Sequence, residues 1–419
     1  MRREGISIMN ETLNNTEGYQ KAKYMLAKLN RDIKALIPSE FNIDDFEEAG
    51  HHEIGVGCID GNPIERVIII LKGCGCEWAR KEHCGCTMCG HLSGSSNGKE
   101  VPVEILKKQF ETAINEYDFR KYPMLCLYNG GSFLNEREIP TSLRRYMLKR
   151  INSIFGIKRL IIESRAEYIN NKILDEIETL LPNIVVEIGV GVETANDTLR
   201  NLVLNKGVTT KMLVDMGKKF CNRKTKLLAY VLVNPPFLTE SEAIADTVNS
   251  IGFAAKIGAS VVSLEAVSIQ HLTCVAFLAE AGFYKTPWIW SMFEIVKQTQ
   301  HLGLDIRIGG FEFFPIPKEF TSNCLACNEN MITKIQEFNR LNDVSIISNL
   351  SCINRCDLEW KKDLERVDHR PLPERIISTL EAIDIPKTLD ILRDSTNKLY
   401  GIEAIKIKEV LSSVAEKQM

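Results

Sequence analysis

Short apolar runs alternate with amphipathic helical patterns along the middle of the chain. Six runs read as buried strands: RVIIIL (66–71), MLCLY (124–128), RLIIE (159–163), IVVEIGV (184–190), LLAYVLV (227–233) and VVSLEAV (261–267). Between them lie segments such as VEILKKQFETAINEY (103–117), in which Leu106, Phe110 and Ile114 fall on one helical face. Strands that alternate with helices predict a parallel β/α architecture.

The alternation alone does not distinguish an open doubly wound sheet from a barrel. No G-x-G-x-x-G sequence follows the first run, which disfavours a dinucleotide-binding domain. A cysteine-rich segment follows it instead. Active groups lie beyond the C-terminal ends of parallel strands in both architectures. The segment from Cys74 to Cys89 therefore lies where chemistry is expected.

The two flanks of the chain differ from its alternating part. Residues 12–37 are predicted to form a helix, and the chain from residue 372 is predicted to be helical with a break at Pro386. The apolar positions of the first helix are Ala22, Leu26, Leu29 and Ile33. We predict three regions: a helical N-terminal extension (1–65), the β/α region (66–310) and a C-terminal region with four cysteines and helices (311–419).

The composition is that of an ordinary globular protein, 419 residues with 44% hydrophobic and 26% charged side chains. No apolar run approaches the roughly 20 residues that span a bilayer, and the N-terminus lacks the apolar stretch of a signal peptide. A cytoplasmic protein without a membrane partner is therefore expected. The net charge of −3 gives no sign of nucleic-acid binding by the field of the whole protein.

Thirteen cysteines in a reducing compartment suggest metal ligation rather than disulfides. Four of them are spaced C-x2-C, 24 residues, C-x3-C. These four are Cys324, Cys327, Cys352 and Cys356. The paired spacing predicts a closed structural zinc site, and an auxiliary iron–sulfur cluster is the alternative.

The stretch KGCGCEWARKEHCGCTMCG (72–90) holds five further cysteines. Cys86 and Cys89 form its only C-x2-C pair, and the third ligand is then Cys76 or Cys74. Three cysteines on a 4Fe–4S cluster leave one iron open to a small molecule. A zinc site with Cys84 as its fourth ligand is the alternative, and spacing alone does not decide between them.

Several longer strings, in one order, resemble radical S-adenosylmethionine enzymes. Within these, the chain is similar to RaSEA, the archaeosine-forming subunit of archaea, and to relatives of the elongator catalytic subunit. The strings are GCEWARKEHCGCTMCG (75–90), YNGGSFLNEREIP (128–140), IIESRAEYI (161–169), GVGVETANDTLRNLVLNKG (189–207), YVLVNPPFLTESEAIAD (230–246) and TPWIWS (286–291). The resemblance covers roughly residues 66–360 and implies a partial (β/α)6 TIM-like barrel.

The resemblance also implies which thiols hold a 4Fe–4S cluster. In these enzymes three cysteines follow the first strand, and a hydrophobic residue, here Met88, precedes the last of them. By this analogy Cys76, Cys86 and Cys89 are the ligands. The insertion of HCG before CTMCG departs from the family pattern. It leaves Cys74 or Cys84 as substitutes whose roles stay open.

S-adenosylmethionine is the implied cofactor, held by polar residues at successive strand ends. By resemblance its binding residues are Asn129, Gly130, Gly131, Ser132, Glu163, Ser164, Arg165, Glu193, Thr194, Arg200 and Val233. The glycines after the second strand let backbone approach a ligand closely. A carboxylate suits ribose hydroxyls, and a guanidinium suits the cofactor carboxylate. A plain βα turn and surface salt bridges are the structural alternatives for these loops.

The implied reaction is that of a radical lyase in tRNA modification. Reductive cleavage of S-adenosylmethionine yields a 5′-deoxyadenosyl radical that abstracts a hydrogen atom. In the resembled enzymes the substrate is tRNA carrying lysine on 7-cyano-7-deazaguanine. Cleavage of the lysine C–N bond leaves archaeosine, and a separate lysine-adding archaeosine synthase subunit is the expected partner. The alternatives are a radical enzyme with another substrate and a non-catalytic, zinc-binding tRNA scaffold.

Physical support for RNA in the sequence itself is thin. The best basic run, KKFCNRKTK (218–226), precedes the fifth strand and is predicted to lie at the barrel bottom as a solvated run. Five aromatic residues on either side of residue 310 suit either base stacking or packing between the regions: Trp288, Trp290, Phe311, Phe313 and Phe314. Packing is the expected role.

Overall fold

The computed structural model describes residues 16–37, 42–80, 83–311 and 316–395. Eight strands form one sheet in chain order. They are β1 (His51–Ile59), β2 (Asn62–Ile70), β3 (Met124–Tyr128), β4 (Arg159–Glu163), β5 (Val185–Glu193), β6 (Lys226–Val233), β7 (Ala259–Ala266) and β8 (Asp305–Ile308). All pairs from β2 to β8 are parallel, and the predicted partial barrel is confirmed.

The six strands expected from the sequence correspond to β2–β7, and the structure adds one at each edge. β1 pairs antiparallel with β2 through a hairpin at Asp60 and Gly61, which both have positive φ (51° and 78°). A two-residue turn with positive φ at both positions has a backbone twist that matches the twist of the two strands. The Asp-Gly pair at 60–61 is the sequence typical of such a turn. β1 is only half buried, and β8 has four residues. Neither therefore carries the long apolar run by which the other strands were recognised.

Helices cover the outside of the sheet and both flanks. They are α1 (Glu17–Lys34), α2 (Glu77–Arg80), α3 (Val103–Asn115), α4 (Thr141–Ser153), α5 (Asn171–Leu180), α6 (Thr210–Gly217), α7 (Glu240–Lys256), α8 (Cys274–Glu280), α9 (Ile289–Thr299), α10 (Asn328–Leu341), α11 (Cys356–Leu364) and α12 (Leu372–Glu381). Residues 385–395 are also helical, so the break expected at Pro386 falls at 382–384. No helix in these ranges is long and apolar enough to cross a membrane.

Both faces of the parallel strands are buried, which explains their nearly continuous apolar sequences. Outward side chains join the helices in one large core. Inward side chains fill the barrel lumen with a second, smaller cluster. Its buried members are Ile68, Met124, Cys126, Ile161, Leu228 and Val261. This plug closes the N-terminal half of the lumen and leaves polar side chains at the strand C-termini.

The N-terminal helix α1 packs over the C-terminal end of the barrel. Its four predicted apolar positions are all buried, and they share an apolar cluster with α8 and α12. Thr16 caps the helix by accepting a hydrogen bond from the Tyr19 N–H. The C-terminal half of the helix lies against the loop that carries the five clustered cysteines. The division of the chain at residues 65 and 310 stays a prediction.

A buried ion network ties the N-terminal ends of the strands together. Glu187 has no solvent exposure and accepts hydrogen bonds from Arg159 (2.9 Å) and Arg307 (2.7 Å). Burial opposes its ionisation, but Arg307 and Arg159 hold the pKa of Glu187 below its ordinary value. Its stabilising contribution is therefore present above the unfolded carboxyl pKa and is lost as pH falls through the folded pKa.

Glu187→Gln is expected to lower the free energy of unfolding by about 3–5 kcal/mol near neutral pH, because buried Arg159 and partly buried Arg307 lose their buried counter-ion and keep only the more exposed Asp60 and Asp305. Urea denaturation measures this loss, which should shrink in acid. The control is Asp60→Asn, since Asp60 contacts the same Arg159 at 3.1 Å but is 76% exposed. Its cost should stay below about 1 kcal/mol. Equal costs for the two variants would contradict the assignment.

Candidate functional site

The cysteine-rich loop follows β2 at the C-terminal end of the barrel. Burial raises the pKa of the Cys76 thiol to about 12, and negative charge at Glu138, Cys86 and Cys89 adds to the shift. Burial also raises the pKa of Cys86; Lys206 and Arg165 oppose that rise, and charge at Cys89 adds to it. The structure therefore brings Cys76, Cys86 and Cys89 into electrostatic range of one another.

The sulfur atoms of these three thiols are not as close together as the ligand atoms of a single metal ion. Only the C-terminal cysteines, within the described ranges, place three or more His, Cys, Asp or Glu ligand atoms within 4.8 Å of one another. A cluster of four irons and four sulfides is larger than a single ion, so its thiolates lie farther apart. The Sγ atoms of Cys76, Cys86 and Cys89 are not all within 4.8 Å of one another, which disfavours one zinc ion on these three thiols.

The two other thiols of the loop have different neighbours. Cys74 is buried, and its Sγ lies 3.8 Å from the Gly75 carbonyl and 3.6 Å from that of Arg137. Cys84 has a positive φ of 56°, and its charge acts on Lys34 and Cys274. Lys34 also responds to charge at Cys89 and Cys86, so Cys84 shares this cation with two of the three predicted ligands, whereas Cys74 contacts Arg137.

Helix α1 holds this loop by polar contacts that sequence reasoning missed. The Asn30 side-chain amide donates to the carbonyls of Cys84 (3.2 Å) and Gly85 (3.0 Å). The Lys34 ammonium donates to the carbonyls of Cys89 (2.8 Å) and Leu272 (3.3 Å). A signal was present, because Asn30 and Lys34 are four residues apart and adjoin the apolar face of the predicted helix.

The loop after β3 approaches the cysteine loop closely. A Cβ at Gly131 would lie 3.2 Å from the Cys76 Cα and would overlap the Glu138 carboxylate. Glu138 accepts hydrogen bonds from the backbone N–H groups of Ser132 (2.5 Å) and Glu77 (2.8 Å), so it joins the two loops. The Asn129 side-chain oxygen is buried and has no hydrogen-bond partner among the described residues. Sequence reasoning did not identify Glu138.

Residues after β4 connect the same two loops. Arg165 lies 4.7 Å over the Trp78 ring, and its side chain donates to Glu167 (2.5 Å) and to the Lys206 carbonyl (2.8 Å). Its backbone N–H donates to the Ser132 hydroxyl at 3.1 Å. The Arg165 guanidinium is thus placed near the thiols, since its pKa responds to charge at Cys86 and Cys76.

Ser164 and Glu163 have different environments. Ser164 donates its backbone N–H to the Gly189 carbonyl (2.9 Å), and its hydroxyl donates to the Arg165 carbonyl (3.1 Å). Glu163 points into the lumen, where burial raises its pKa to about 7 against the opposing effects of Tyr230 and Lys206. Glu163 is therefore a carboxyl group that changes its protonation state near neutral pH.

The loop after β5 contains an ion pair directed at the same space. Glu193 has a positive φ of 62°, an uncommon conformation for a residue with a side chain, and Lys206 contacts its carboxylate at 2.5 Å. Burial opposes the charge on Lys206, but Glu193 and Cys86 raise its pKa. Lys206, which sequence reasoning missed, is thus a permanent cation beside Cys86.

Thr194 and Arg200 are occupied within that loop. The Thr194 hydroxyl donates to Asp246 at 2.8 Å. Arg200 has no solvent exposure, and its guanidinium contacts Asp197 (2.8 Å) and the Thr194 carbonyl (3.2 Å). Arg200 belongs to a π-helical turn, Leu199–Val203, which places its side chain in the protein interior. Both side chains therefore hold the loop in place through contacts in the protein interior.

Val233, a cofactor-binding residue by the resemblance, lies at the C-terminal end of β6. Its side chain is buried, and its carbonyl accepts a hydrogen bond from the Val267 N–H at 3.1 Å. The next residue, Asn234, has a positive φ of 63° and turns the chain away from the sheet. The strand end at Val233 therefore belongs to the rim of the lumen.

The four C-terminal cysteines converge. Their Sγ atoms are separated by 3.3 Å (Cys324 and Cys352), 3.6 Å (Cys324 and Cys327) and 3.6 Å (Cys327 and Cys356). Tetrahedral ligands at the zinc–sulfur distance of ~2.3 Å would be about 3.8 Å apart. The group fits the binding of one metal ion, which is the metal binding expected of it.

Two tryptophans connect this centre to the barrel. The Trp290 indole N–H lies 3.3 Å from Cys356 Sγ, and that of Trp288 donates to Asp363 at 2.8 Å. Such contacts orient metal ligands from outside the coordination sphere. Both indoles serve packing between the two regions, the expected role. Phe313 and Phe314 lie outside the described residues.

No protein-family model matches this chain. The chain is 28% identical over 317 residues to archaeosine synthase subunit beta of Methanosarcina acetivorans, covering 75% of this chain and 89% of that protein. It is 26% identical over 309 residues to archaeosine synthase subunit beta of Thermococcus kodakarensis, covering 73% and 94%. The predicted resemblance to archaeosine-forming subunits is confirmed.

Solved structures with a similar barrel are more distant. Elp3 of Methanocaldococcus infernus has a TM-score of 0.42 at 13% identity, over 55% of this chain and 59% of that one. Coproporphyrinogen III oxidase of Escherichia coli, a radical SAM enzyme, has a TM-score of 0.34 at 12% identity, over 56% and 50%. At these TM-scores the two structures support no conclusion about the function of this chain.

Proposed function

We propose that the chain is a radical S-adenosylmethionine enzyme of tRNA modification, with a 4Fe–4S cluster on Cys76, Cys86 and Cys89. One observation carries this: negative charge at Cys86 and Cys89 acts on Cys76, and negative charge at Cys89 acts on Cys86, so these three thiols lie close to one another. Lys206 and Arg165 provide positive charge beside the thiols, which suits an anionic cluster. Three ligands leave one iron open for the cofactor.

The surrounding residues fit S-adenosylmethionine at that open position. The unpaired Asn129 oxygen is an acceptor for the cofactor ammonium, and Gly131 keeps the backbone close to Cys76. Arg165 provides a cation for its carboxylate. Glu163 and Glu193 at the rim suit ribose hydroxyls. Thr194 and Arg200, held within their loop, act by positioning Glu193.

When bound, the cluster and S-adenosylmethionine supply a carbon radical that abstracts a hydrogen atom from the substrate. The chain's own residues orient the cofactor and exclude water. The lumen below Tyr128 and Tyr230 is filled by apolar side chains, and α1 covers one side of the cysteine loop. A target C–H can therefore approach only from the C-terminal face of the barrel.

The substrate we propose is tRNA bearing lysine on 7-cyano-7-deazaguanine, and the reaction cleaves the lysine C–N bond to leave archaeosine. Two relatives named archaeosine synthase subunit beta, matched over most of their length, support this assignment. The word subunit in those names supports a partner subunit, and we propose that this partner adds the lysine. For the C-terminal centre we propose a structural zinc ion, since the sulfur separations fit one tetrahedral ion.

The test is an anaerobic assay of the reconstituted protein with dithionite, S-adenosylmethionine and lysine-modified tRNA. We expect 5′-deoxyadenosine and archaeosine to form together in the wild type, as measured by mass spectrometry of nucleosides. Cys89→Ala should form neither product. Cys84→Ala is the matched control and should form both.

Three outcomes would contradict parts of this proposal. Deoxyadenosine without archaeosine, when modified tRNA and the lysine-adding subunit are both present, would reject the substrate. Binding of zinc but not iron at the first cluster would reject the radical enzyme and favour a scaffold. Equal activity of the Cys89 and Cys84 variants would reject the assignment of ligands.

A further inference from the structure

A cavity of about 700 Å³ opens at the end of the barrel opposite the cysteine loop. Its walls include Glu65 near the start of β2 and Pro123 and Lys158, which directly precede β3 and β4. The register pairs Arg66 with Met124 and Met124 with Arg159, so these residues lie at the same end of neighbouring strands. Arg340 near the end of α10 completes the wall from the C-terminal region.

The cavity concentrates positive charge on a chain whose net charge is −3. Four cations line it, Arg120, Lys121, Lys158 and Arg340, against the single carboxylate of Glu65. Arg120 is held by Asp118 in a two-point contact, and Lys121 lies 3.9 Å from Glu65. For Lys158 and Arg340 the described part of the chain provides no ion pair. Two of the four cations are therefore uncompensated.

The basic run at 218–226 lies at the same end of the barrel, but several of its cations have partners within the protein. Lys218 contacts Asp215 at 2.9 Å, and Arg223 contacts Asp175 at 2.7 Å. The Lys219 ammonium donates to the Ile169 carbonyl at 2.6 Å. Lys218, Lys219 and Arg223 therefore each have a partner within the protein, although the Lys218 side chain is also 71% exposed to solvent, as predicted for this run. Among the described residues at this end of the barrel, the cavity contains two cations, Lys158 and Arg340, that have no ion-pair partner.

An aromatic side chain stands beside the uncompensated cations. Phe155, in the loop between α4 and β4, is 85% exposed and belongs to the cavity wall. Single exposed apolar side chains are common on protein surfaces, so the exposed ring is informative here because it lies in the same wall as Lys158 and Arg340. Aromatic rings next to cations are the combination by which proteins hold unpaired nucleotides, through base stacking and phosphate contacts.

We propose that this cavity is a second RNA-binding site, in which Lys158 and Arg340 contact backbone phosphates and Phe155 stacks on a base. The inference rests on the proposed function in taking tRNA as the RNA. The strands have four to nine residues, so the barrel is only roughly 15–30 Å tall. A folded tRNA is longer than this and can reach both ends, which fixes its orientation while one nucleoside enters the opposite face.

The experiment measures binding of a tRNA transcript to the full-length, reconstituted protein as a function of salt. Lys158→Glu with Arg340→Glu is expected to weaken binding at least about tenfold at 0.15 M salt and to reduce the salt slope by about two, because each phosphate contact contributes ~0.9. Phe155→Ala should weaken binding about tenfold with an unchanged slope. The control, Lys218→Glu with Lys224→Glu, has the same charge change and should cost less than about threefold.

Circular dichroism and thermal unfolding establish that each variant is folded. Equal losses in the cavity variant and the control would overturn the inference, since only overall charge would matter. A wild type that binds tRNA while the cavity variant binds equally well would overturn it and leave the proposed function standing. A wild type without tRNA affinity would reject both the site and the tRNA substrate.

Discussion

Replacing any one of Cys76, Cys86 and Cys89 by alanine is expected to abolish assembly of the iron–sulfur cluster. The proposed cluster on three thiolates has no spare protein ligand; Cys86 lies beside Lys206 and Arg165, Cys76 beside Arg165, and charge at Cys89 acts on both thiols. Iron and sulfide content and visible absorbance after anaerobic reconstitution measure the effect. We expect about four irons per chain in the wild type and less than a tenth of that in each variant.

The neighbouring thiols provide matched controls on the same loop. Cys74→Ala and Cys84→Ala should retain the cluster, because the resemblance assigns neither thiol as a ligand, Cys74 contacts the Arg137 carbonyl, and charge at Cys84 acts on Cys274. Loss of iron in Cys84→Ala together with retention in Cys76→Ala would exchange the two assignments. Zinc bound at one ion per chain by Cys76, Cys84, Cys86 and Cys89 together would reject the cluster.

Replacing Cys327 by serine is expected to release the metal of the C-terminal centre and to destabilise the packing of that region on the barrel. Cys327 is buried and lies 3.6 Å from two other ligands, so its loss leaves a tetrahedral site incomplete. A loss of about 3–5 kcal/mol would lower the melting temperature by about 10 °C. Metal content and thermal unfolding measure both effects.

Tryptophan fluorescence adds a local readout for that centre. The Trp290 indole contacts Cys356, so loss of the metal should change its emission. The control is Cys221→Ala, an exposed cysteine outside both clusters, which should keep metal content, emission and melting temperature. Iron instead of zinc in the wild-type centre would reject the zinc assignment. An unchanged melting temperature in Cys327→Ser would reject its structural role.

The pattern of apolar runs by itself determined the parallel β/α alternation and the order of the strand ends, and the resemblance to a known family added the barrel and the candidate site residues. Parallel strands buried on both faces must be continuously apolar, so β2–β7 could be recognised one by one. The half-buried β1 and the four-residue β8 lack that signal. Strand ends are local features as well, which is why Glu163 and Val233 were found at the rim from the sequence.

Only the tertiary structure decided which side chains meet. Lys34 reaches the Cys89 carbonyl across 55 residues, and Glu138 joins its own loop to Glu77 across 61. Arg200 and Lys206 are six residues apart, yet one is enclosed by its loop and the other lies beside Cys86. The cavity that joins Lys158 to Arg340 has no sequence signal. Such contacts depend on how loops pack over the strand ends, a balance of many weak interactions that no local pattern records.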